Sequence, residues 1–199
     1  MIEIIDISND RPYQIFKNFY DSALLVKQKS IEAISIASFN SNSNEVESRF
    51  VNLKYIIDNE WTFFSNYQSP KAMDFNSHNQ ISALLYWREL NLQIRLKSKI
   101  YKSHITFSDN HFKKRSIEKN ALAISSSQSK VISSYDAVED SYNKTLSQIN
   151  RQTKRPDYWG GFTFIPYYFE FWQGHENRLN KRLVFEQQND GWVERLLQP

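Results

Sequence analysis

The sequence predicts an α+β protein in which the strands form an antiparallel β-barrel and helices are inserted between them. Short runs of alternating apolar and polar residues recur along the chain and are joined by short polar turns, as is typical of antiparallel strands. Helical periodicity is confined to the segments between those runs. The chain has 199 residues, of which 15% are aromatic and only 4 are glycine. This length and composition predict one domain, residues 1–199, with a substantial buried core.

The first third of the chain predicts a helix followed by three strands. The helix is expected over 12–28, because either Asn9 or Asp10 can cap it and Pro12 suits its first turn. Three strands are then predicted to form a meander, over 31–39, 49–57 and 61–65. The second of these strands would place four apolar side chains on one face: Val51, Leu53, Tyr55 and Ile57.

The rest of the chain alternates between helices and strands. Ser69 and Pro70 have the chemistry of a helix start, and this helix is expected to run to about residue 78. The run 92–101 alternates so regularly that one face is predicted to lie in the core and the other to face water or a ligand. The other predicted elements are a strand over 81–87, short helices within 106–129, a helix over 136–151, and strands over 161–172, 182–187 and 192–197, the last two joined by a turn at 189–191.

The composition excludes several classes of function. Lys and Arg number 25 against 22 Asp and Glu, and this net charge of +3 is too small to indicate a nucleic-acid partner. The absence of cysteine excludes disulfides, thiolate metal sites and a cysteine nucleophile, and the 4 histidines do not fall at metal-ligand spacing. Neither a signal peptide nor an apolar run of about 20 residues is found, so a cytoplasmic protein without a membrane span or a metal is expected.

Polar side chains on strands that are otherwise built for burial predict a phosphate site. A phosphate needs cations and backbone N–H groups, and a helix N-terminus at 69–71 supplies both. A flat heterocycle needs an apolar or aromatic wall and amide partners. The residues of the right types are Phe64, Trp172, Gln93 and Gln128.

Arg49 and Lys54 leave an alternative open. They are five residues apart, so a regular strand points them to opposite faces. Either a bulge intervenes or the two side chains serve different ligands. An isolated Arg or Lys is more often a solvated surface charge than a ligand contact, and Trp172 is more often a core residue than a ligand wall. The residues alone therefore predict a barrel with a candidate phosphate site.

The order of short sequence blocks adds a family resemblance. Ten blocks follow one another, at 49–54, 63–66, 69–72, 85–87, 92–94, 127–129, 158–162, 170–174, 178–182 and 195–199. The most specific are Trp-Gly-Gly-Phe at 159–162 and Glu-Phe-Trp-Gln-Gly at 170–174. In these blocks the chain resembles the pyridoxamine 5′-phosphate oxidase family, from about residue 30 to its last residue.

The resemblance implies an FMN-binding split barrel with peripheral helices, and a homodimer that holds two FMN molecules in clefts between its subunits. Residues 1–29 would form an N-terminal helical segment, and 158–199 would carry strands for dimerisation and flavin contact. Arg49, Ser65 and Lys71 would hold the FMN phosphate. The full set of implied flavin contacts is Arg49, Phe50, Val51, Leu53, Lys54, Phe64, Ser65, Lys71, Gln93, Gln128, Ser129, Trp172 and Arg182.

The substrate positions that the resemblance implies depart from the family pattern. The clamp for the substrate phosphate, which is Lys, Tyr, Arg and Ser in the family, consists here of Lys54, His111, Arg115 and Lys119. The catalytic pair would be Arg178, which positions the substrate, and Asn180, which stands where the family has histidine. Pro70 replaces a family arginine beside the FMN phosphate, and the family's N-terminal lid would precede Met1.

Three functions follow from the resemblance. The first is an oxidase that passes a hydride from pyridoxamine or pyridoxine 5′-phosphate to FMN and then to O₂, giving pyridoxal 5′-phosphate and H₂O₂. The second is an FMN-dependent oxidase of a tricyclic, carboxylated phenazine precursor, a branch to which 85–89 and 123–129 are similar, whereas 159–161 is typical of the vitamin B6 enzymes. The third is a flavin-binding protein without catalysis. In the first two, the expected partner is a small anionic heteroaromatic substrate.

Overall fold

The computed structural model of the chain describes residues 1–189 and 191–199, and within these it contains ten strands and five helices. Their bounds are β1 Glu3–Ile5, α1 Arg11–Leu25, β2 Ala33–Asn40, β3 Glu45–Asn52, β4 Tyr55–Ile57, β5 Glu60–Asn66, α2 Pro70–Ser77, β6 Gln80–Trp87, β7 Leu92–Lys102, α3 Ile105–Lys114, α4 Ile117–Ser125, α5 Tyr135–Gln148, β8 Trp159–Gln173, β9 Lys181–Gln188 and β10 Gly191–Leu197. The turn predicted at 189–191 includes Asp190, which lies outside the described residues.

The strands form one sheet in the order β1-β4-β5-β8-β7-β6-β2-β3, and β9 and β10 branch from β8. The pairs are antiparallel except for β1 and β4, which are parallel. This confirms the predicted α+β class. The barrel is not closed, because β1 and β3 stand at the two ends of the order and do not pair. None of the helices that the structure describes is long and apolar enough to cross a membrane.

The sheet splits along β8, the longest strand. One edge of β8 pairs with β7 along most of its length. The other edge pairs with β5 through residues 159–164 and with β9 through residues 168–173. The barrel therefore opens where β8 exchanges one partner for the other, which is the split expected from the family resemblance.

A β-bulge lies at the same place. Lys97 of β7 is opposite Tyr168, and the next residue, Ser98, is opposite Pro166, so Tyr167 has no partner on β7. An extra residue of this kind bends the strand and disrupts the ladder locally. Pro166 also lacks a backbone N–H, so it cannot donate to a ladder.

The predicted meander is wrong. Residues 49–57 are not one strand: β3 ends at Asn52, and β4 begins at Tyr55 on the opposite side of the sheet order. Between them the backbone N–H of Leu53 donates to Glu32 O and that of Lys54 to Thr62 O, so the chain changes partner here. Leu53 and Ile56 are both fully buried, and the apolar alternation read through residue 57 does not hold.

Helix α1 packs its apolar side on the sheet. Its buried residues include Tyr13, Phe16, Tyr20 and Ala23, which follow helical spacing. The ring of Phe16 lies 4.5 Å, between centroids, from that of Trp61. The helix starts at Arg11, close to the prediction, but ends at Leu25 rather than at residue 28. Many of the aromatic side chains of the chain therefore pack into one core.

Candidate functional site

Two adjoining cavities of about 330 and 210 Å³ form one cleft, called here the cationic cleft. Its walls come from the end of β3, the end of β5, the start of α2, the segment from the end of α3 through α4 to Gln128, and the start of β8. The cleft brings together most of the predicted flavin and substrate residues: Phe50, Val51, Lys54, Phe64, Ser65, Lys71, His111, Arg115, Lys119 and Gln128. Among the described residues, no carboxylate lines either cavity.

Lys71 is a buried cation at the floor of the cleft. It sits in the first turn of α2 and is 8% exposed. Its Nζ donates to Ser65 Oγ at 3.1 Å and to Ser69 Oγ at 3.2 Å, and no carboxylate of the described residues pairs with it. Burial, and then the charge of Arg49, lower the pKa of Lys71 to about 8, although Asp74 opposes this. A buried ammonium that no carboxylate of the described residues pairs with, beside a hydroxyl and a helix N-terminus, fits an anion such as a phosphate monoester.

Arg49 does not line the cavities, although it lies close enough to affect Lys71. Its Nη1 donates to Ser38 Oγ, and its Nη2 lies 2.9 Å from Glu47 Oε2 and 3.4 Å from Asp74 Oδ2. Asp74, which is buried on α2, also accepts a hydrogen bond from Ser38 at 2.7 Å. Arg49 is therefore held beside α2 rather than pointing freely into the cleft.

Two hydrogen bonds from the end of β5 hold the side-chain amide of Gln128 in place. Its Oε1 accepts from Ser65 Oγ at 3.2 Å and from the backbone N–H of Asn66 at 3.4 Å. The side-chain nitrogen of Gln128 remains available to a ligand in the cleft. Its neighbour Ser129 is exposed, adopts φ 69°, and is not part of the cavity walls.

An aromatic stack forms one wall. The ring of Phe64 is nearly parallel to those of His111 and Trp159, with centroids 3.6 and 5.4 Å away. The guanidinium carbon of Arg115 lies 4.3 Å from the centroid of Trp159, a cation–π contact. The hydroxyl of Tyr55 lies 2.8 Å from Nδ1 of His111. These contacts hold His111 and Arg115 in fixed positions at the cleft.

His111 is neutral at physiological pH. Burial, and then the positive charges of Arg115 and the nearby lysines, lower its pKa to about 3. A neutral imidazole that meets Tyr55 at Nδ1 has Nε2 left to offer to a ligand. His111 therefore adds a polar contact to the cleft and no charge.

Three cations surround the outer part of the cleft. Lys54 lies at the break between β3 and β4, Arg115 caps the end of α3, and Lys119 lies in the first turn of α4. Asn120 Oδ1 accepts from Nη1 of Arg115 at 3.2 Å, and burial lowers the pKa of Arg115 to about 10. Arg115 remains charged at neutral pH, and the group favours a second anion.

Two glycines let β8 run close under this wall. A Cβ on Gly161 would lie 2.4 Å from Ser103 Oγ and 3.2 Å from Phe64 Cε1. A Cβ on Gly160 would lie 2.1 Å from the hydroxyl oxygen of Tyr67. Neither position has room for a side chain, which accounts for the Gly-Gly pair that follows Trp159.

Five of the other predicted residues form a second group away from the cleft. Gln93, Trp172 and Arg182 are register partners across β7, β8 and β9. Arg178 is exposed with φ 60° in the loop between β8 and β9, and Asn180 Oδ1 accepts from the backbone N–H of His175. None of these five lines the cationic cleft, so one chain carries the predicted site as two separate parts.

Curated relatives match nearly the whole chain. The pyridoxine/pyridoxamine 5′-phosphate oxidase of Cupriavidus taiwanensis is 32% identical over 188 residues, which cover 94% of this chain and 88% of the relative. The chain belongs to the pyridoxine/pyridoxamine 5′-phosphate oxidase family. The enzyme of the same name from Legionella pneumophila strain Lens is 31% identical over 189 residues, covering 94% of this chain and 87% of the relative.

Two further comparisons agree with this oxidase family. Residues 159–199 match the family model described as the pyridoxine 5′-phosphate oxidase C-terminal dimerisation region. The crystal structure of PhzG from Burkholderia lata 383, in complex with tetrahydrophenazine-1-carboxylic acid, has a TM-score of 0.89 at 25% identity and covers 94% of this chain and 92% of its own.

A pyridoxamine 5′-phosphate oxidase-related, FMN-binding protein from Nostoc punctiforme shares the fold, with a TM-score of 0.75 at 11% identity and coverage of 92% of this chain and 97% of its own. The family predicted from the sequence blocks is confirmed, and with it the expectation of an FMN-dependent oxidoreductase.

Sequence reasoning missed several residues that shape this oxidase-family cleft. The sequence pattern does not mark Trp159 as a site residue, and it predicts Tyr55 only as part of the apolar face of a strand. Arg155, which is buried, binds Asp109 Oδ1 through Nε at 2.7 Å and the carbonyl of Trp159 through Nη1, and so fixes the start of β8. Leu53, in contrast, lies in the core with its side chain fully buried.

Proposed function

We propose that the protein is an FMN-dependent oxidase of pyridoxamine or pyridoxine 5′-phosphate that acts as a homodimer. The observation that carries this proposal is the presence of two anion-binding places in one cleft. Lys71, with Ser65, forms the first, and the group of Lys54, Arg115 and Lys119 forms the second. A reaction between a phosphorylated cofactor and a phosphorylated substrate needs two such places side by side.

The residues present fit FMN. Lys71 and Ser65 would hold its phosphate by charge-assisted hydrogen bonds, and the amide of Gln128 would meet a polar edge of the flavin or its ribityl chain. Phe50, Val51 and Phe64 supply apolar surface for it. Bound FMN supplies the two-electron acceptor for the substrate, and O₂ regenerates it with release of H₂O₂.

The second group of residues supports a dimeric site. Gln93, Trp172 and Arg182 lie away from the cleft of their own chain, and two of them belong to the segment that matches a dimerisation region. We assign them to the cleft of a partner subunit, where they would contact the flavin. Ser129 and Leu53 remain assigned to the flavin from the family pattern alone.

The outer cations would bind and orient the substrate. Lys54, Arg115 and Lys119 would hold its anionic group, and Nε2 of neutral His111 would add a hydrogen bond. Arg178 and Asn180, from the loop that follows β8, would contact the substrate ring from the partner subunit. The protein's part in the reaction is thus orientation and electrostatics.

A phenazine-type substrate is the second candidate. The observation in its favour is the likeness to PhzG, whose structure contains tetrahydrophenazine-1-carboxylic acid. Three cations bind a carboxylate as well as a phosphate, and Lys119 adds a charge where the family has serine. The cleft chemistry therefore fits either a carboxylated tricycle or a B6 phosphate.

One anaerobic experiment separates the two candidates. The purified protein is loaded with FMN, and pyridoxine 5′-phosphate, pyridoxamine 5′-phosphate or a dihydrophenazine carboxylate is added without O₂. Loss of the visible flavin absorbance with a B6 phosphate supports the proposed oxidase. Bleaching by the dihydrophenazine alone would replace it with the second candidate, and no bleaching by any of the three would overturn both.

A further inference from the structure

Strands β7, β8 and β9 carry an ordered array of mainly polar side chains on the face away from the core, called here the outer face. Its residues lie in three register rows: Gln93, Trp172 and Arg182; Arg95, Glu170 and Val184; Lys97, Tyr168 and Glu186. The neighbouring residues Phe169 and Phe171 of β8 point into the core. The middle of this array is Glu170, which is only 1% exposed. The proposed function gives no role to this carboxylate.

Both oxygens of Glu170 are engaged by cations or hydroxyls. Oε1 accepts from Nε of Arg182 at 2.8 Å and lies 2.7 Å from its Nη2. Oε2 accepts from Nη1 of Arg95 at 2.7 Å and from the hydroxyl of Tyr168 at 3.1 Å. Burying a carboxylate is costly unless it is paired in this way, and two guanidinium groups share the one charge. The arrangement fixes where each guanidinium can lie.

Arg182 is held from two directions. In addition to the carboxylate, its Nη1 donates to the carbonyl of Gln198 at 3.1 Å. An unattached arginine side chain samples many rotamers and loses that freedom when it binds a ligand. A guanidinium that is already fixed loses less on binding, so preorganisation of Arg182 would increase affinity without any new contact.

We propose that Glu170 is a positioning residue for FMN binding, which acts through Arg182 and does not touch the cofactor itself. The proposal rests on the proposed function, in which Arg182 contacts the flavin. Arg49, another residue assigned to the flavin, is held in a similar way by buried Asp74. In both parts of the site, a buried carboxylate thus holds the side chain of an arginine in place.

A double-mutant cycle on FMN affinity tests the proposal. Kd is measured by titrating apoprotein with FMN and following flavin fluorescence, for wild type, Glu170→Gln, Arg182→Met and the double variant. We expect Glu170→Gln to raise Kd by about tenfold to a hundredfold, because a charged hydrogen bond is lost. In the Arg182→Met background it should add little, whereas in an Arg95→Met background it should keep its full effect.

A purely structural role predicts a different pattern. Glu170→Gln would then lower the melting temperature and leave Kd unchanged, or would raise Kd equally in the Arg182→Met and Arg95→Met backgrounds. Either result overturns the proposal. Glu186→Gln is the matched control: Glu186 lies on the same face, pairs with Arg195 at 3.6 Å and does not touch Arg182, so its Kd should equal that of wild type.

One further variant and the single variant Arg182→Met keep the outcome decisive. If Glu170→Gln does not fold, Glu170→Asp keeps the charge but shortens its reach, and it should weaken FMN binding while the chain stays folded. An unchanged Kd for Glu170→Asp overturns the proposal in that case. If Arg182→Met itself leaves Kd unchanged, Arg182 does not contact the flavin. That result overturns both this assignment of the proposed function and the proposal for Glu170, whereas an unchanged Kd for the Glu170 variants alone overturns only the latter.

Discussion

The imidazole of His111 lies flat against the ring of Phe64, with centroids 3.6 Å apart and planes inclined by 10°. At a position where the family resemblance implies tyrosine, this chain thus has a flat, uncharged ring in the cleft wall. Tyr55 meets the edge of that ring at Nδ1. The stack explains how a histidine can stand among several cations: it remains neutral, and its flat faces pack against aromatic neighbours.

Replacing His111 with tyrosine should make the stability less sensitive to acid. The pKa of His111 is about 3 in the folded chain, and that of an unfolded histidine is about 6.5. Between these values the unfolded chain binds a proton that the folded chain does not, so stability falls as the pH drops below about 6.5. The melting temperature of wild type should therefore fall relative to His111→Tyr from pH 7 to pH 5. A constant difference would show that folding does not perturb this pKa.

Removing the charge of Lys71 should weaken FMN binding. Lys71→Met deletes a charge-assisted bond to the phosphate, so Kd should rise by about tenfold to a hundredfold. In wild type, Kd should also rise as the pH increases beyond about 8, because the free apoprotein then loses the ammonium proton that the phosphate requires. Fluorescence titrations from pH 7 to 10 measure both effects. Lys29→Met, at an exposed site, is the control, and a wild-type Kd that is flat across this range contradicts the role of Lys71.

Lys119→Ser restores the family residue and should affect the substrate rather than the flavin. Lys119 is exposed, so we expect the KM for a phosphorylated substrate to rise by up to about tenfold, with no change in the flavin spectrum. Steady-state kinetics measures this change, and Lys113→Ser, on an exposed part of α3 outside the cleft, is the control. An unchanged KM would mean that Lys119 is a solvated surface charge.

Gly161→Ala should lower stability because β8 has no space for a methyl group. The added Cβ would lie 2.4 Å from Ser103 Oγ and 2.8 Å from Ser103 Cβ, and we expect a loss of about 1–3 kcal/mol in the free energy of unfolding. Chemical denaturation measures it. Adding Ser103→Gly removes both atoms and should recover part of the loss. If the double variant is no more stable than Gly161→Ala, the clash with Ser103 is not the cause.

Mixed dimers test whether two subunits share each site. Lys71→Met and Arg182→Met should each impair every site of their own homodimers. If each site takes Lys71 from one subunit and Arg182 from the other, a mixed dimer has both substitutions in one of its two sites. Its second site then has neither substitution. Random mixing in equal amounts should then restore tight FMN binding to about a quarter of all sites. Mixtures that remain as impaired as the separate variants would place both residues on one subunit's site. Light scattering should independently give about twice the chain mass of 23.7 kDa.

Local chemistry predicted much of the fold. The Ser69–Pro70 start of α2 and the alternating strand β7 were visible in the sequence, because caps and period-two burial depend on near neighbours. The break at Leu53 was not visible, because the alternation of apolar and polar residues continues from Val51 to Tyr55 and only pairing with distant strands separates β3 from β4. Strand β1 was missed for the same reason: three residues have no pattern of their own, and its partner β4 is about fifty residues away.

Some residues of the site could likewise be predicted from the sequence and others could not. Ordered sequence blocks led to the residues of the cleft, since charged and amide side chains on apolar strands stand out. Trp159 and Tyr55 did not stand out, because an aromatic residue in a cleft wall has the same sequence pattern as one in the core. Glu170 also could not be recognised in advance. Only the register of β7, β8 and β9 brings Arg95 and Arg182 to its two oxygens.

The extra residue at Tyr167 has a consequence for how this strand can change in evolution. Before it, the core-facing residues of β8 are at even numbers, Phe162 and Phe164, and after it they are at odd numbers, Phe169 and Phe171. Trp172 follows Trp159 by 13 positions, an odd offset, and yet both side chains face away from the core. Deleting or inserting a single residue between them would turn one half of the site inward. Insertions and deletions between the two tryptophans should therefore be tolerated only when they involve two residues at a time. The spacing of the two tryptophans is for this reason a stricter signature than either tryptophan alone.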